Sequence, residues 1–556
     1  MLTEKTSFIS RRSALFCGTA FLLLTGSIFL LPPGGVWITD NGNKYIMMRN
    51  FANGSGRKIT HSFPRLFPTG GFHFHKTHDG AYSFYPEYLS FITVPFYKLF
   101  GERGVLFFPA AAALLLLFTV WRYWHIPPPL LLLSTPLCFY SLLLWEMTPS
   151  AFLVTAAILT AERKRFLTAG CILGLSLLMR EEAYFICAAM GAALLFCRKW
   201  KELARFTAGF LIVALPLWFC QWIIHGHFLG SHGKYYYLNN NASFSTVSQL
   251  QNIFFNYHHH LFRFDSWHIP GVNLLLWSVL LPIAAGAAPG FKKWRKVKYG
   301  ACAIYLAAMC FLAAGVWFRS NTIYTASMLT GLFTATPVIA GFLLNWHALL
   351  RCRKFRFLTL TALFYIVGVP PLMTTADIGL VWGARHFLIL LPLLIFLSFC
   401  GFRLMGITRF GRTAFKPEHL IPLSAVAVSI FIQIFGLYAL FRVSGDSRRV
   451  ESLLLKNNAE VIVTDVFYIP EQMPKLFFNK CVLQVLNRED IKALKEYFQK
   501  CPAKEGFLLV LSPQFRRMND TVLKEFLQEF PLAAPPERLT GKGGFPDLFA
   551  GNCRVK

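Results

Sequence analysis

About thirteen separate apolar segments recur along the first 440 residues, and most are long enough or nearly long enough to cross a bilayer. The chain has 556 residues, 55% hydrophobic and only 15% charged, whereas soluble globular proteins carry about 25% charged residues. Its mean hydropathy is +0.47. This pattern predicts an α-helical polytopic membrane protein. The predicted spans are 13–31, 105–120, 129–144, 151–159, 166–178, 183–196, 206–224, 272–288, 301–317, 326–344, 358–373, 387–400 and 421–440.

Basic residues between these segments predict the orientation of the chain. Arg11 and Arg12 precede the first span and therefore place the N-terminus in the cytoplasm. This span is predicted to be a retained helix and not a cleaved signal peptide, because Pro-Pro-Gly-Gly follows it in place of a cleavage site. Threading the spans alternately then places every basic cluster in the cytoplasm. Loops 32–103 and 225–271 and the C-terminal part fall outside the cytoplasmic (inner) membrane. The formal charge of +28 therefore belongs to retained loops, which argues against nucleic-acid binding.

The sequence predicts two domains, a transmembrane domain over 1–443 and a small extracytoplasmic α/β domain over 444–556. Residues 460–465 and 507–511 are typical of short buried strands, and 490–499 and 520–530 of helices. Cys481 and Cys501 of this second domain could pair in an oxidising space. In the first loop, 85–99 is predicted to be an amphipathic helix at the membrane interface.

Ionisable residues at the external ends of the spans are the candidate binding residues. Ionisable side chains near membrane depth are costly and are usually functional. Brought together by a helical bundle, they would line one polar cavity at the outer leaflet. The alternative is that each is an interfacial residue in contact with water. These residues are Asp40, Glu146, Arg180, Glu181, Arg385 and His386.

Asp40 is the strongest single candidate, because it follows the first predicted helix directly. A carboxylate there could be a general base or could bind a divalent cation. It could equally stabilise a turn at Asn41-Gly42. In the same loop, His78 and Asp79 could bind a metal or belong to a solvated loop. The histidines at 258–260 are a weaker metal candidate, because consecutive side chains do not point the same way.

Four short motifs carry a family resemblance. They are 40–45 (Asp-Asn-Gly-Asn-Lys-Tyr), 79–86 (Asp-Gly-Ala-Tyr-Ser-Phe-Tyr-Pro), 180–183 (Arg-Glu-Glu-Ala) and 382–386 (Trp-Gly-Ala-Arg-His). With this layout the chain resembles the GT-C membrane glycosyltransferases. Within them it resembles in particular the bacterial relatives of the protein O-mannosyltransferases and of the aminoarabinose transferase that acts on lipid A.

The resemblance implies a GT-C-like bundle and the transfer of a hexosyl or pentosyl group. The alternatives are a transporter or flippase of a lipid-linked saccharide and a non-catalytic membrane scaffold. The donor would be a polyprenyl-phosphate-linked sugar reached from the membrane lipids, and the acceptor a hydroxyl of a glycan, lipid or protein. It implies Asp40 as the catalytic carboxylate, with Arg180 and Arg385 neutralising the lipid phosphate. The substrate-binding candidates are then Asp79, Tyr82, Tyr85, Glu146, Arg180, Glu181, Arg385 and His386. Asn41 stands where many members have a second acid, so a second carboxylate comes from Asp79, Glu146 or neither. A divalent metal ion, with Asp40, His78 and Asp79 as candidate ligands, stays an open alternative.

Overall fold

A computed structural model places most of the chain. It describes residues 4–33, 36–59, 64–67, 74–77, 80–83, 85–230, 253, 255–262, 272–288, 291–319, 331–372, 382–405, 420–466, 468–500, 506–514, 517–540 and 547–555.

Apolar helices dominate the first 456 residues, and the described part of each predicted span is largely helical. The helices are α1 Glu4–Leu30, α2 Thr39–Ala52, α3 Tyr88–Gly104, α4 Phe107–Trp124, α5 Pro128–Leu133, α6 Leu137–Ser141, α7 Met147–Glu162, α8 Phe166–Ser176, α9 Ala183–Phe196, α10 Trp200–His225, α11 Val272–Ala287, α12 Phe291–Arg319, α13 Leu332–Ala335, α14 Ala340–Leu343, α15 Trp346–Arg351, α16 Arg356–Gly368, α17 Leu391–Leu404 and α18 Leu420–Lys456. Short 3-10 turns cover Pro64–Leu66, Pro337–Ile339, Pro370–Leu372 and Arg385–Leu390, and a π-helical turn covers His258–Phe262.

Five stretches among the described residues are long and apolar enough to cross a membrane. Several other predicted spans are shorter or broken helices; 129–144, for example, forms α5 and α6 with a break between them. The count of about thirteen spans and their orientation stay predictions. The five stretches are Phe107–Trp124, Trp200–His225, Lys296–Ala314, Arg385–Leu404 and Leu420–Lys456.

Helices α8 and α10 show how the bundle packs. A side chain at Gly209 would meet the Leu167 carbonyl oxygen at 2.0 Å, and one at Gly170 would meet the Phe206 carbonyl oxygen at 2.1 Å. Small residues at such positions let helix backbones touch, which is how helices associate where lipid offers no hydrophobic driving force. The apolar outer face of α10 stays exposed, with Ile212 and Phe219 each 59% exposed.

Two sheets lie outside the helical bundle. In the first loop, the three-stranded antiparallel sheet has the order β1-β3-β2. In the C-terminal segment, the five-stranded sheet has the order β5-β4-β6-β8-β7, with parallel pairs in its first half and antiparallel pairs in its second. The strands are β1 Lys58–Ile59, β2 Phe74–Thr77, β3 Gly80–Ser83, β4 Val461–Thr464, β5 Cys481–Gln484, β6 Gly506–Leu511, β7 Glu537–Arg538 and β8 Phe549–Arg554.

The strands and helices predicted in the C-terminal segment are confirmed. The helices there are α19 Ile469–Gln472, α20 Pro474–Asn479, α21 Arg488–Lys500 and α22 Asp520–Glu529. Helix α18 runs without a break through the predicted domain boundary at residue 444. Cys481 is a free thiol, and Cys501 lies outside the described residues, so their pairing stays a prediction.

Helix α2 is the unpredicted element that matters most for the site, because it carries Asp40. Its N-terminal half is polar and contains Gly42, which is a poor helix former. Tertiary contacts hold it instead: the Asn41 side-chain amide donates to the Leu144 carbonyl over 3.2 Å, and the Ser90 hydroxyl donates to the Lys44 carbonyl over 3.0 Å. The alternative of a turn at Asn41-Gly42 is therefore wrong, because both residues lie inside this helix.

Candidate functional site

Seven ionisable side chains from four parts of the chain form a connected network, which we call the ionic ring. Two come from α2, one precedes α7, two lie in the turn before α9, and two begin the 3-10 turn before α17. Hydrogen bonds and ion pairs link neighbours, and Tyr85 closes the ring. In order of contact the members are Asp40, Lys44, Glu146, Arg180, Glu182, His386 and Arg385.

Lys44 is the most buried cation of the ring. Its Nζ lies 2.9 Å from Glu146 Oε2, and its side chain is 1% exposed. The same ammonium lies 4.4 Å from the centroid of the Tyr85 ring and 5.5 Å from that of Trp145. A cation between two aromatic faces is stabilised by their electron density as well as by its carboxylate partner. Lys44 is therefore held in one place before any ligand arrives.

Arg180 joins two carboxylates. Its Nη1 donates to Glu146 Oε1 over 3.1 Å, and its Nε donates to Glu182 Oε2 over 2.7 Å. A second bond from Nη2 to the other Glu182 oxygen makes that contact a two-point fork. Burial alone would raise the pKa of the Glu182 carboxyl, but Arg180 and His386 outweigh burial and hold that pKa well below its usual range. Glu182 is therefore an anion at neutral pH.

His386 is fixed in one neutral form by its two neighbours. The Arg385 Nε donates to His386 Nε2 over 3.1 Å, so Nε2 is the unprotonated nitrogen. Nδ1 then carries the proton and donates it to Glu182 Oε1 over 2.7 Å. This tautomer is assigned from the hydrogen-bond network. His386 therefore orients Arg385 toward Asp40 without adding a charge.

Asp40 lies in the first turn of α2, where the positive end of the helix dipole favours a carboxylate. Arg385 Nη1 lies 3.6 Å from Asp40 Oδ2, and the Tyr85 hydroxyl hydrogen-bonds the same carboxylate. Burial, followed by the nearby Asp40 carboxylate, raises the pKa of the Tyr85 hydroxyl well above its usual range. Tyr85 is therefore a neutral donor at any working pH, and the Asp40 carboxylate is the acceptor in this contact.

The ring is electrically balanced. Its three carboxylates face three permanent cations, and the imidazole is neutral. Arg180 and Arg385 expose 12% and 11% of their side chains, so neither is sealed from a ligand. Within a bundle of apolar helices, this arrangement can bind an anionic head group and offers Asp40 as a base.

Six of the predicted site residues come together in the ring or against it: Asp40, Tyr85, Glu146, Arg180, Arg385 and His386. Glu181 lies instead beside Tyr184. Tyr82 lies on the middle strand of the first-loop sheet, opposite Lys58 and His75, and is partly exposed. His78 and Asp79 lie outside the described residues.

Three residues of the site were not among the predicted catalytic or binding residues. Lys44 is four residues after Asp40, so an interpretation of 39–52 as a helix would have placed both on one face. Glu182 was passed over for its neighbour Glu181, and only the turn before α9 decides between them. His260 lies with its ring 5.2 Å from that of His386, because a π-helical turn buries it. A single sequence carries no signal for that turn.

The described neighbour of Asp40 is a cation: the Arg385 guanidinium lies 3.6 Å from this carboxylate. Over the part of the chain that the structure describes, no three or more His, Cys, Asp or Glu side chains group as metal ligands do. His78 and Asp79 lie outside that part, so a divalent metal ion held by Asp40, His78 and Asp79 stays a prediction.

The fold and site together define a helical membrane protein with a buried, charge-balanced network of ionisable side chains. No family model matches the chain. No curated protein matches its sequence. Among solved structures, the chain is similar to ArnT from Cupriavidus metallidurans bound to undecaprenyl phosphate, with 13% identity, 97% of each chain covered and a TM-score of 0.48. It is also similar to the same protein in the apo state, with 12% identity, 97% of each chain covered and a TM-score of 0.40.

Proposed function

We propose that the chain is an integral membrane glycosyltransferase that moves a sugar from a polyprenyl-phosphate donor to an acceptor hydroxyl at the outer face of the cytoplasmic membrane. The observation that carries the proposal is Asp40, a buried carboxylate held by Tyr85 and placed 3.6 Å from the Arg385 guanidinium. The donor class comes from the motifs at 40–45, 79–86, 180–183 and 382–386, which resemble those of GT-C enzymes.

The proposed step is balanced in atoms and charge. The bond between the anomeric carbon of the sugar and the phosphate oxygen breaks, and a bond from that carbon to the acceptor oxygen forms. Asp40 takes the proton of the acceptor hydroxyl, and the bonding pair leaves with the phosphate. The lipid phosphate thus changes from a monoanion to a dianion as the step proceeds.

The ring compensates for this change of charge. When Asp40 is protonated, Arg385 loses its counter-charge, so the three cations exceed the two remaining carboxylates by one. That surplus arises in the same step in which the leaving phosphate gains its second charge. Fixed cations in a pocket of low dielectric stabilise such developing charge far better than water-exposed cations do.

A transfer assay tests the proposal. Purified protein in detergent is incubated with radiolabelled polyprenyl-phosphate sugars and a membrane extract as acceptor. We expect label to move to the acceptor, and Asp40→Asn to lower the rate by at least about a hundredfold, because the amide cannot take the proton. The matched control is Asp446→Asn, which removes a carboxylate from an exposed helical ion pair with Arg442 and leaves the rate unchanged.

Two outcomes would contradict the proposal at different points. Full transfer by a folded Asp40→Asn protein would remove Asp40 from the chemistry while keeping the enzyme. No transfer from any donor by the folded native protein would reject the glycosyltransferase. Reconstituted vesicles would then be tested for movement of a lipid-linked saccharide.

A further inference from the structure

The C-terminal segment reaches the site through the short helix α19. At Gly42 of α2, an added Cβ would lie 1.4 Å from the backbone carbonyl oxygen of Glu471. The two backbones therefore touch at a point where only glycine fits. Nearby, the Ser447 hydroxyl of α18 donates to the Gln472 carbonyl over 2.9 Å, which fixes α19 from its other side.

Glu471 begins a chain of hydrogen bonds that ends at Asp40. Its side chain is fully buried, and its Oε1 accepts from Asn43 Nδ2 over 3.3 Å. Asn43 Oδ1 accepts from the Ser83 hydroxyl over 2.6 Å, and the Ser83 oxygen accepts from the Tyr85 backbone N–H over 3.0 Å. The Tyr85 hydroxyl then bonds the Asp40 carboxylate.

We propose that Glu471 is a positioning residue for transfer, so that the C-terminal segment completes the site of the membrane-embedded part rather than being an appended module. This inference rests on the proposed function. The hydrogen bond that carries it links Asn43 to Glu471, two residues 428 positions apart in the sequence.

The positioning role of Glu471 follows from the chemistry of the Asn43 side-chain amide, which has a donor end and an acceptor end. Asn43 can donate from its nitrogen and accept at its oxygen, and the acceptor on Glu471 decides which end faces Ser83. Without that acceptor, the amide has no reason to keep its oxygen toward the Ser83 hydroxyl. Tyr85 would then lose the contact that fixes its backbone, and with it the placement of its hydroxyl on Asp40 and its ring beneath Lys44.

The alternative is that Glu471 is only a structural charge at the contact between segments, near Arg517. The two readings differ in the effect of an uncharged acceptor. Glu471→Gln keeps an oxygen that Asn43 can donate to and removes the charge, whereas Glu471→Ala removes both. A positioning role predicts rescue by glutamine, and a charge role does not.

The experiment measures kcat and KM for transfer in four variants. Glu471→Ala and Ser83→Ala are each expected to lower kcat by roughly tenfold, because a small misplacement of catalytic groups costs rate. KM should rise by only about threefold, because the displaced Tyr85 ring holds Lys44 less firmly for the lipid phosphate. Glu471→Gln is expected to stay within about twofold of the native protein. The double variant Glu471→Ala/Ser83→Ala should be no slower than Glu471→Ala, since both break one chain. The matched control, Glu525→Ala, removes a carboxylate of the same segment from an exposed ion pair with Arg488 and should leave kcat unchanged.

A second measurement separates this inference from the proposed function. Binding of undecaprenyl phosphate, used as the probe, is followed by thermal shift in the same variants. Glu471→Ala and Ser83→Ala should bind it at least about threefold more weakly, because the aromatic face beneath Lys44 is displaced. Three results would each overturn the inference. In the first, the native protein transfers sugar and Glu471→Ala has the same kcat. In the second, Glu471→Gln and Glu471→Ala lower kcat equally, and in the third, the losses in kcat add up in the double variant. If the native protein binds the lipid but transfers nothing, the proposed function fails, and the binding series alone decides the role of Glu471.

Discussion

Replacing Lys44 by methionine tests the ionic ring at its most buried cation. Methionine keeps the length of the side chain and removes the charge. Removing one partner of a buried ion pair costs about 3–5 kcal/mol, chiefly because the other charge is left uncompensated. Here Glu146 keeps Arg180 Nη1 at 3.1 Å, so we expect the lower end, about 3 kcal/mol. For a chain of this size the unfolding midpoint would fall by less than about 10 °C.

The effect on transfer should be larger than the effect on stability. In the proposed reaction Lys44 is one of the three fixed cations of the ionic ring, and it acts on the lipid phosphate through its charge because its side chain is only 1% exposed. We expect its loss to lower kcat/KM about a hundredfold, the scale on which a preorganised charge in a site of low dielectric contributes to rate. Transfer is measured as in the assay above, and stability by thermal unfolding in detergent.

The double variant Lys44→Met/Glu146→Gln separates the two effects. The amide of glutamine can still accept from Arg180, and no uncompensated carboxylate remains, so most of the lost stability should return. Transfer should stay low, because the cation is still missing. Recovery of transfer together with stability would refute the reasoning, since it would show that Lys44 acts only on the fold. Native-like transfer by Lys44→Met alone would refute it as well.

Further variants test other contacts of the site. Arg180→Lys keeps the charge but loses the two-point fork to Glu182, so kcat/KM should fall at least about tenfold, and an unchanged value would show that the fork does not matter. Because the pKa of Glu182 is lowered in the folded protein, its stabilising contribution is complete above its ordinary value of 4.5 and is lost as the pH falls through the lower, folded value. The unfolding midpoint in detergent should therefore drop as the pH is lowered below about 4.5, and drop less steeply in Glu182→Gln; equal slopes would contradict this assignment. Gly42→Ala would place a methyl group 1.4 Å from the Glu471 carbonyl oxygen, so it should lower both the unfolding midpoint and transfer. The control Gly18→Ala, with nothing within 4 Å of the added carbon, should change neither.

Hydrophobic patterning predicted the long apolar helices and two of the C-terminal strands, β4 and β6, because burial in lipid or in a core leaves a local signal in composition. Residues 507–511, for example, are apolar on both faces of β6. Phe507 and Leu509 pack with residues of α21 and α22, whereas Leu508 and Val510 belong to the main apolar core. The same reasoning failed for α2. Its helix is stabilised by contacts with residues about a hundred and more than four hundred positions away, and its own propensities argue against it.

The sequence predicted that charged residues gather at one site, but not all of the residues that form it. Their position at the ends of the spans drew attention to Glu146, Arg180 and Arg385, because an ionisable residue near membrane depth is costly and is usually kept for a function. The choice of Glu182 over Glu181 depends on which of two adjacent side chains turns inward, and hydropathy does not distinguish them. Glu471 could not be found at all, since it lies in a segment of ordinary soluble composition and meets the site only in three dimensions.

Helix α18 sets a length scale for the molecule. Its 37 residues measure about 55 Å at a rise of 1.5 Å per residue, whereas the hydrocarbon core of a bilayer is about 30 Å thick. The helix therefore stands well clear of the lipid at one end, and there Ser447 holds α19 while Arg448 pairs with Glu102 of the first loop. Because the helix is continuous, the C-terminal segment is held at a fixed distance from the bilayer and not on a flexible linker. A change in bilayer thickness should therefore be met by a tilt of the whole molecule, and the contact between α19 and α2 should be kept.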